Sequence, residues 1–230
     1  MGIDIQKYLT EQYKKSIETG KKPGPVVTIS REYGCSAREI AEAIADKLNE
    51  ISTKKEEKQK WTWINKEIFE NTAKSLNLKI SRIAHVFEGE KKNLIEGIIL
   101  STSEKYYTSD LKIKKKIIEI VRSYAEKGNI IIIGLGSVAI TRDIANSVHI
   151  KLHAPFEWRV EQMAKKLSKS IDETRKMAKT IDKKREILRE SFITKSKYEE
   201  LFDATYNVMS LNRSEIAESV IGIMKARKII

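Results

Sequence analysis

Apolar positions along this chain change period repeatedly, and each change marks an element. Val26–Ile29 is a short β-branched run, the pattern of a buried strand. From Ala37 the apolar residues fall at Ile40, Ala41, Ile44, Ala45 and Leu48, the spacing of a helix with one buried face. Trp61 to Ile64, Asn129 to Ile133, Val148 to Leu152 and Thr205 to Met209 read as further strands. Helical periods separate them. One helix, capped by Ser109 or Asp110, turns Leu111, Ile113, Ile117, Ile118, Val121 and Tyr124 inward and stops at Gly128. Others run from Lys66 to about Leu76, from Phe156 to about Leu167, and through the charged stretch Ser170 to Phe192, with Ser168 or Ser170 as cap. Ser214 to Ala226 closes the chain with Ile216, Val220, Ile221, Ile223 and Met224 inward. Strands alternating with helices predict an α/β fold, a parallel sheet of about five strands flanked by helices. The isoleucine run before Gly134 suits a sheet covered on both faces.

Ahead of the first strand, Asp4 to Thr19 forms an amphipathic pattern, and Gly20, Pro23, Gly24 and Pro25 punctuate the chain between that pattern and the strand. The expected division is an N-terminal helix and linker over 1–25 and a main domain over 26–230. Ser52 to Lys60 is polar and charged, and reads as an exposed insertion. Asn77 to Thr102 suggests helical pieces around Arg82, His85 and Phe87.

Composition narrows the function classes. The longest apolar runs fall well short of the roughly 18 residues a membrane helix needs, and the first residues lack a secretory pattern. One cysteine, Cys35, leaves no internal disulfide and suits a reducing cytoplasm. Three histidines and one cysteine supply no zinc set. A net charge of +12 favours anionic partners. Nucleic acid and a small polyanion such as a nucleotide suit it equally, but Lys and Glu are interspersed with no aromatic-rich basic stripe, so most of the excess reads as a Lys-rich solvated surface. The oligomeric state stays open, a homodimer included.

The stretch with most chemistry is Arg31 to Glu39, between the first strand and its helix. A strand, a tight loop with Gly34 and a helix N-terminus aim free N–H groups at an anion. The familiar phosphate loop adds a Lys and a Mg²⁺-binding hydroxyl. This loop has neither; Ala37 and Glu39 stand in that region. Arg31 and Arg38 flank it, and a guanidinium can bind phosphate oxygens bidentately.

These residues resemble the cytidylate kinase-like family of P-loop nucleotide kinases. SREYGCSAREI (Ser30 to Ile40) stands against a family loop of about SREYGSGGREI. The resemblance continues through KEI at Lys66, IIIGLGSVAITRD from Ile131, HAPFEWR from His153, the pair Asp182 and Arg185, and FDATYN from Phe202. It implies a kinase fold with a helical acceptor-binding insertion and a helical lid over about 160–192. It implies transfer of the ATP γ-phosphate, with Mg²⁺, to a nucleoside monophosphate or related acceptor. ATP would lie on Arg31, Glu32, Tyr33, Gly34, Cys35, Ser36, Ala37, Arg38 and Glu39. Arg38, Arg159, Asp182 and Arg185 are the expected catalytic group. Lys66, Arg82, Gly134, Leu135, Gly136 and Arg142 are expected at the acceptor, with Asp203 and Asn207 shaping a base pocket. The chain departs from the pattern where GSGG becomes Gly34-Cys35-Ser36-Ala37, and where GRG becomes Gly134-Leu135-Gly136. Leu135 is expected to face the acceptor crevice. The departures make a weakly active nucleotide sensor the alternative reading, with a nucleic-acid-binding protein behind it.

Overall fold

The computed structural model describes residues 24–54, 60–65, 104–193 and 195–230. The expected N-terminal helix, Lys66, Arg82 and the insertion around it lie outside those residues.

The elements are β1 (Val26–Arg31), α1 (Ala37–Lys54), β2 (Thr62–Ile64), α2 (Glu104–Lys127), β3 (Ile130–Ile133), α3 (Ser137–Ile140), β4 (Ser147–His153), α4 (Phe156–Leu167), α5 (Ile171–Glu190), α6 (Lys195–Tyr198), β5 (Ala204–Asn207) and α7 (Arg213–Ala226). Five parallel strands form one sheet in the order β2-β3-β1-β4-β5. β1 is central: it pairs with β3 from Val26 against Ile130 and with β4 from Val26 against Ser147. Because β3 and β4 lie on opposite sides of β1, the chain reverses direction there, and the crevice beyond the strands' carboxyl ends opens beside β1.

Side-chain alternation divides the core into two layers. Val26, Ile130 and Ile132 point to one face, packing with Ile117, Ile118 and Val121 of α2 and Val138 of α3. Val27, Ile29, Ile131, Ile133, Ile150 and Leu152 point to the other, against Ile40, Ile44 and Leu48 of α1 and Ile216 and Val220 of α7. Both faces are therefore covered, which is why these strands tolerate continuous apolar runs.

Several boundaries differ from the sequence reading. The helix expected to begin at Ser109 or Asp110 starts at Glu104, so those two residues lie inside it. β1 runs on through Ser30 to Arg31, because β4 extends to Leu152 and offers it partners. β5 ends at Asn207 instead of Met209. There the Asn207 side chain accepts from Met209 N–H (3.0 Å), and its carbonyl accepts from Ser210 and Leu211, so the chain turns. Ser170 caps α5 by accepting from Glu173 N–H at 3.2 Å, while Ser168 ends α4 in the left-handed conformation.

Candidate functional site

The loop between β1 and α1 is fixed at several points. Glu32 N–H donates to the Leu152 carbonyl (3.1 Å) and Cys35 N–H to the Glu32 carbonyl (3.3 Å). Gly34 has φ +92, and a side chain there would press on Arg159 and Met163 of α4 at 3.2 Å. Only glycine combines that backbone with that approach. Helix α1 starts at Ala37, so the first-turn N–H groups have no intrahelical acceptor and present a positive end. The Cys35 thiol is 1% exposed, and burial pushes its pKa up to about 12. It fills the loop as a small apolar group and is chemically inert.

Arg159 holds this loop from below. It is 4% exposed, and its Nε and Nη1 are both engaged by the protein. Nε donates to the Ala154 carbonyl (3.0 Å) and lies 3.3 Å from Glu32 Oε2. Nη1 donates to the Tyr33 carbonyl and to Asp182 Oδ2, both at 2.8 Å. The other Asp182 oxygen accepts from Tyr33 N–H at 2.6 Å. One Arg and one Asp thus join β4, the loop, α4 and α5. The expected lid, 160–192, is the α4–α5 hairpin. It is tied to the loop by these polar bonds, and Thr174, Ala178 and Leu188 of α5 are buried.

A cleft opens on the β3 side of the loop. Ile29, Ser30, Arg31, the run Gly134 to Val138, Arg185, Leu188, Arg189 and Tyr198 line it. Three are arginines and none is acidic. Arg31 lies flat on the turn after β3, where a Cβ on Gly134 would overlap its Nη1. Burial, and then the charge of Arg185 and of Arg189, pull its pKa well below an ordinary guanidinium's. Arg185 is lowered as well, mainly by burial, against the opposing pull of Asp182. Its Nη1 donates to the Arg31 carbonyl at 3.3 Å and stands 3.8 Å from Asp182. Arg189 stacks over the Tyr198 ring at 4.9 Å, and the Tyr198 hydroxyl shares a 2.5 Å hydrogen bond with Ser30 Oγ.

Other expected site residues are placed elsewhere. Arg38 is exposed; its Nε bonds Glu42 at 3.0 Å and its guanidinium sits 5.2 Å over Trp63, along α1. Glu39 accepts from Lys166 of α4 at 3.1 Å. Arg142 is exposed and does not line the cleft; its neighbour Asp143 binds the buried Arg122 of α2 instead. Leu135, expected to face the acceptor crevice, is among the residues that line this cleft. With φ +63 between two left-handed glycines, it tucks into the core at 4% exposure and forms the cleft's apolar floor. Asp203 is also relocated: it binds the backbone N–H of His149 (2.7 Å) and Arg227 (2.5 Å), at the level of mid-β4 and away from the crevice. Tyr198, Ser30 and Arg189 join the cleft without a role expected from the sequence. The signal for Arg189 was its spacing, one helical turn beyond Arg185 on the same face.

A parallel sheet with an anion-directed loop after its central strand, a helical hairpin over that loop and a cationic crevice alongside defines a P-loop kinase-like protein. A profile of the cytidylate kinase-like family matches residues 26–215, and the chain belongs to that family. Among solved structures it is similar to an uncharacterized protein from Eubacterium ventriosum, at TM-score 0.56 and 14% identity over 89% of this chain and 98% of that one. It also aligns with the shikimate kinase of Acinetobacter baumannii in complex with shikimate, at TM-score 0.49 and 11% identity over 92% and 99% of the two chains. No curated protein matches it. Among the described residues no helix is long and apolar enough to cross a membrane.

Proposed function

We propose that the protein is a cytoplasmic phosphotransferase that moves the γ-phosphate of ATP to a nucleoside monophosphate or a related phosphorylated acceptor. The observation that carries this reading is the position of Arg185. It reaches the end of β1 from α5, between the helix N-terminus that suits the donor's phosphates and the cleft that suits an acceptor. An acceptor phosphate oxygen attacks the γ-phosphorus, the bond to the β–γ bridging oxygen breaks, and ADP leaves. That reaction asks the protein for alignment and positive charge, not for a nucleophile. Arg185 supplies charge at the transferring group. Arg159 and Asp182 touch neither substrate in this arrangement; they position the loop and the hairpin that excludes water.

Magnesium supplies charge neutralisation between donor oxygens when bound. Near the loop Glu32, Glu39 and Asp182 are each engaged by protein cations or N–H groups. No group of three metal-ligating side chains occurs among the described residues. This donor set suits an ion carried mainly by nucleotide oxygens and water, as Mg²⁺ commonly is.

Turnover of ATP with a panel of nucleoside monophosphates tests the proposal. Arg185→Ala should lower kcat on the order of 10²-fold while ATP binding stays within a few-fold. The absence of any loop lysine favours a second reading, a nucleotide sensor without turnover. Saturable ATP binding with no transfer to any acceptor would establish it and end the first.

A further inference from the structure

Among the described residues the cleft holds an unbalanced positive charge. Arg31, Arg185 and Arg189 bring three positive charges to its wall, and among the described residues no carboxylate lines it. Asp182, 3.8 Å from Arg185, is already shared by Arg159 and Tyr33 N–H. Arg31 makes no hydrogen bond or ion pair through its side chain among the described residues, although it is half-buried. Such a cation is retained against its desolvation cost only if something answers it. Its orientation is also enforced. Gly134 and Gly136 remove the side chains that would crowd the turn, and Phe192 packs where a Cβ on Gly136 would stand. Arg189 is fixed on the Tyr198 ring, and Tyr198 is anchored to Ser30. The floor beneath is Leu135 and Leu188, both apolar. The site is therefore a cationic rim over an apolar base, built from β1, the turn after β3, and α5.

Resting on the phosphotransferase reading, we infer that this cleft seats the acceptor's own phosphate as a dianion, with Arg31 as the residue that selects phosphorylated acceptors. A single carboxylate would answer one of three charges. A phosphate monoester brings nearly two charges at neutral pH and three oxygens for forked donors to share. This separates Arg31 from the donor loop it adjoins in sequence. Its guanidinium turns toward β3, and the loop N–H groups serve the donor.

Two sources of a phosphate dianion must be told apart: the acceptor and the terminal group of ATP. Calorimetry on the full chain with inorganic phosphate, cytidine monophosphate, cytidine and ATP does so without needing turnover. Wild-type protein should bind inorganic phosphate and cytidine monophosphate, with affinity rising between pH 5 and 7 as the phosphate takes its second charge. Arg31→Met and Arg189→Met should each weaken cytidine monophosphate at least tenfold and flatten that pH step. Cytidine binding and ATP binding should change less than threefold. Gly134→Ala, which keeps all three arginines but displaces Arg31, should reproduce the loss; thermal unfolding of each variant reports folding, and Arg189→Met decides if Gly134→Ala fails to fold. A wild-type protein that binds neither phosphate nor cytidine monophosphate overturns the inference. An equal loss of ATP affinity overturns it too, by giving the cleft to the donor. Binding as expected without phosphate transfer would leave the cleft standing and refute the proposed reaction instead. Transfer to cytidine monophosphate with KM unchanged in Arg31→Met would do the reverse.

Discussion

Arg159 and Arg31 stand on opposite sides of one loop, both drawn out of water, and the fold treats them in opposite ways. Arg159 is surrounded by Glu32, Asp182 and two carbonyls within 3.3 Å. Arg31 faces Arg185 and Arg189, with no acid on its wall among the described residues. A guanidinium matched by the protein holds elements together. One left unmatched costs stability in the empty state and makes a place for an anion that arrives later. The same loop thus shows a cation used for architecture and a cation reserved for a ligand, and the difference lies in who supplies the negative charge.

Removing the matched cation should have the largest effect. Arg159→Ala would strand Asp182 and Glu32 beside a buried cavity and release the Tyr33 carbonyl. Losing one partner of a buried network typically costs about 3–5 kcal/mol. The partners Glu32 and Asp182 are 35% and 27% exposed, so the lower end, about 3 kcal/mol, is expected. Urea unfolding measures it, and Arg159→Lys should recover only part, since an ammonium cannot fork to both carboxylates. A loss under about 1 kcal/mol would mean the network is dispensable and would dissolve the contrast between the two arginines.

Strands and helices were legible because their periods are strong: four consecutive isoleucines and the i, i+3, i+4 face of α1 leave few alternatives. The start of α2 was hidden because Glu104 to Ser109 carries no apolar period of its own, and the cap-type Ser109 and Asp110 fall inside the helix. The fates of the arginines were not legible. Whether Arg159 or Arg31 is matched depends on where Asp182, some 23 and 151 positions away, comes to rest, and local pattern carries no such information. Leu135 shows the limit most plainly. Nothing about a leucine announces φ +63, a conformation held here by its two glycine neighbours and its burial.

A third buried group calibrates the scale. His149 is 6% exposed, with Nδ1 2.8 Å from Thr28 Oγ1 and Nε2 3.0 Å from Ser147 Oγ. Burial lowers its pKa to about 4, with Asp203 and Asp143 opposing and Arg227 adding to the shift. Here the fold keeps an ionisable group neutral instead of matching or stranding a charge. Protonation is harder in the native state than in the unfolded chain, where the pKa is about 6.5. Stability is full above pH 6.5 and falls as the pH drops toward 4, by about 2 kcal/mol at pH 5. Unfolding free energies at pH 7, 6 and 5 should show that slope, and His149→Gln should flatten it. A wild-type protein equally stable at pH 7 and 5 would show that the imidazole charges freely.

The smallest effect should also carry the opposite sign. Arg31→Met keeps most of the aliphatic stem against the turn after β3 and removes only the unmatched charge. Arg185 and Arg189 then face one less like charge, and no acid is orphaned, because Asp182 belongs to Arg159. Without ligand the variant should be as stable as wild type or more so, by at most about 1 kcal/mol, while losing affinity for a phosphate monoester. That exchange of stability for function is a common mark of residues kept for binding. Thermal midpoints with and without one fixed concentration of cytidine monophosphate separate the two contributions: ligand should raise the wild-type midpoint by mass action and the variant's by clearly less. If Arg31→Met instead loses several kcal/mol in the absence of ligand, then Arg31 is architectural like Arg159, and the two sides of the loop are not different after all.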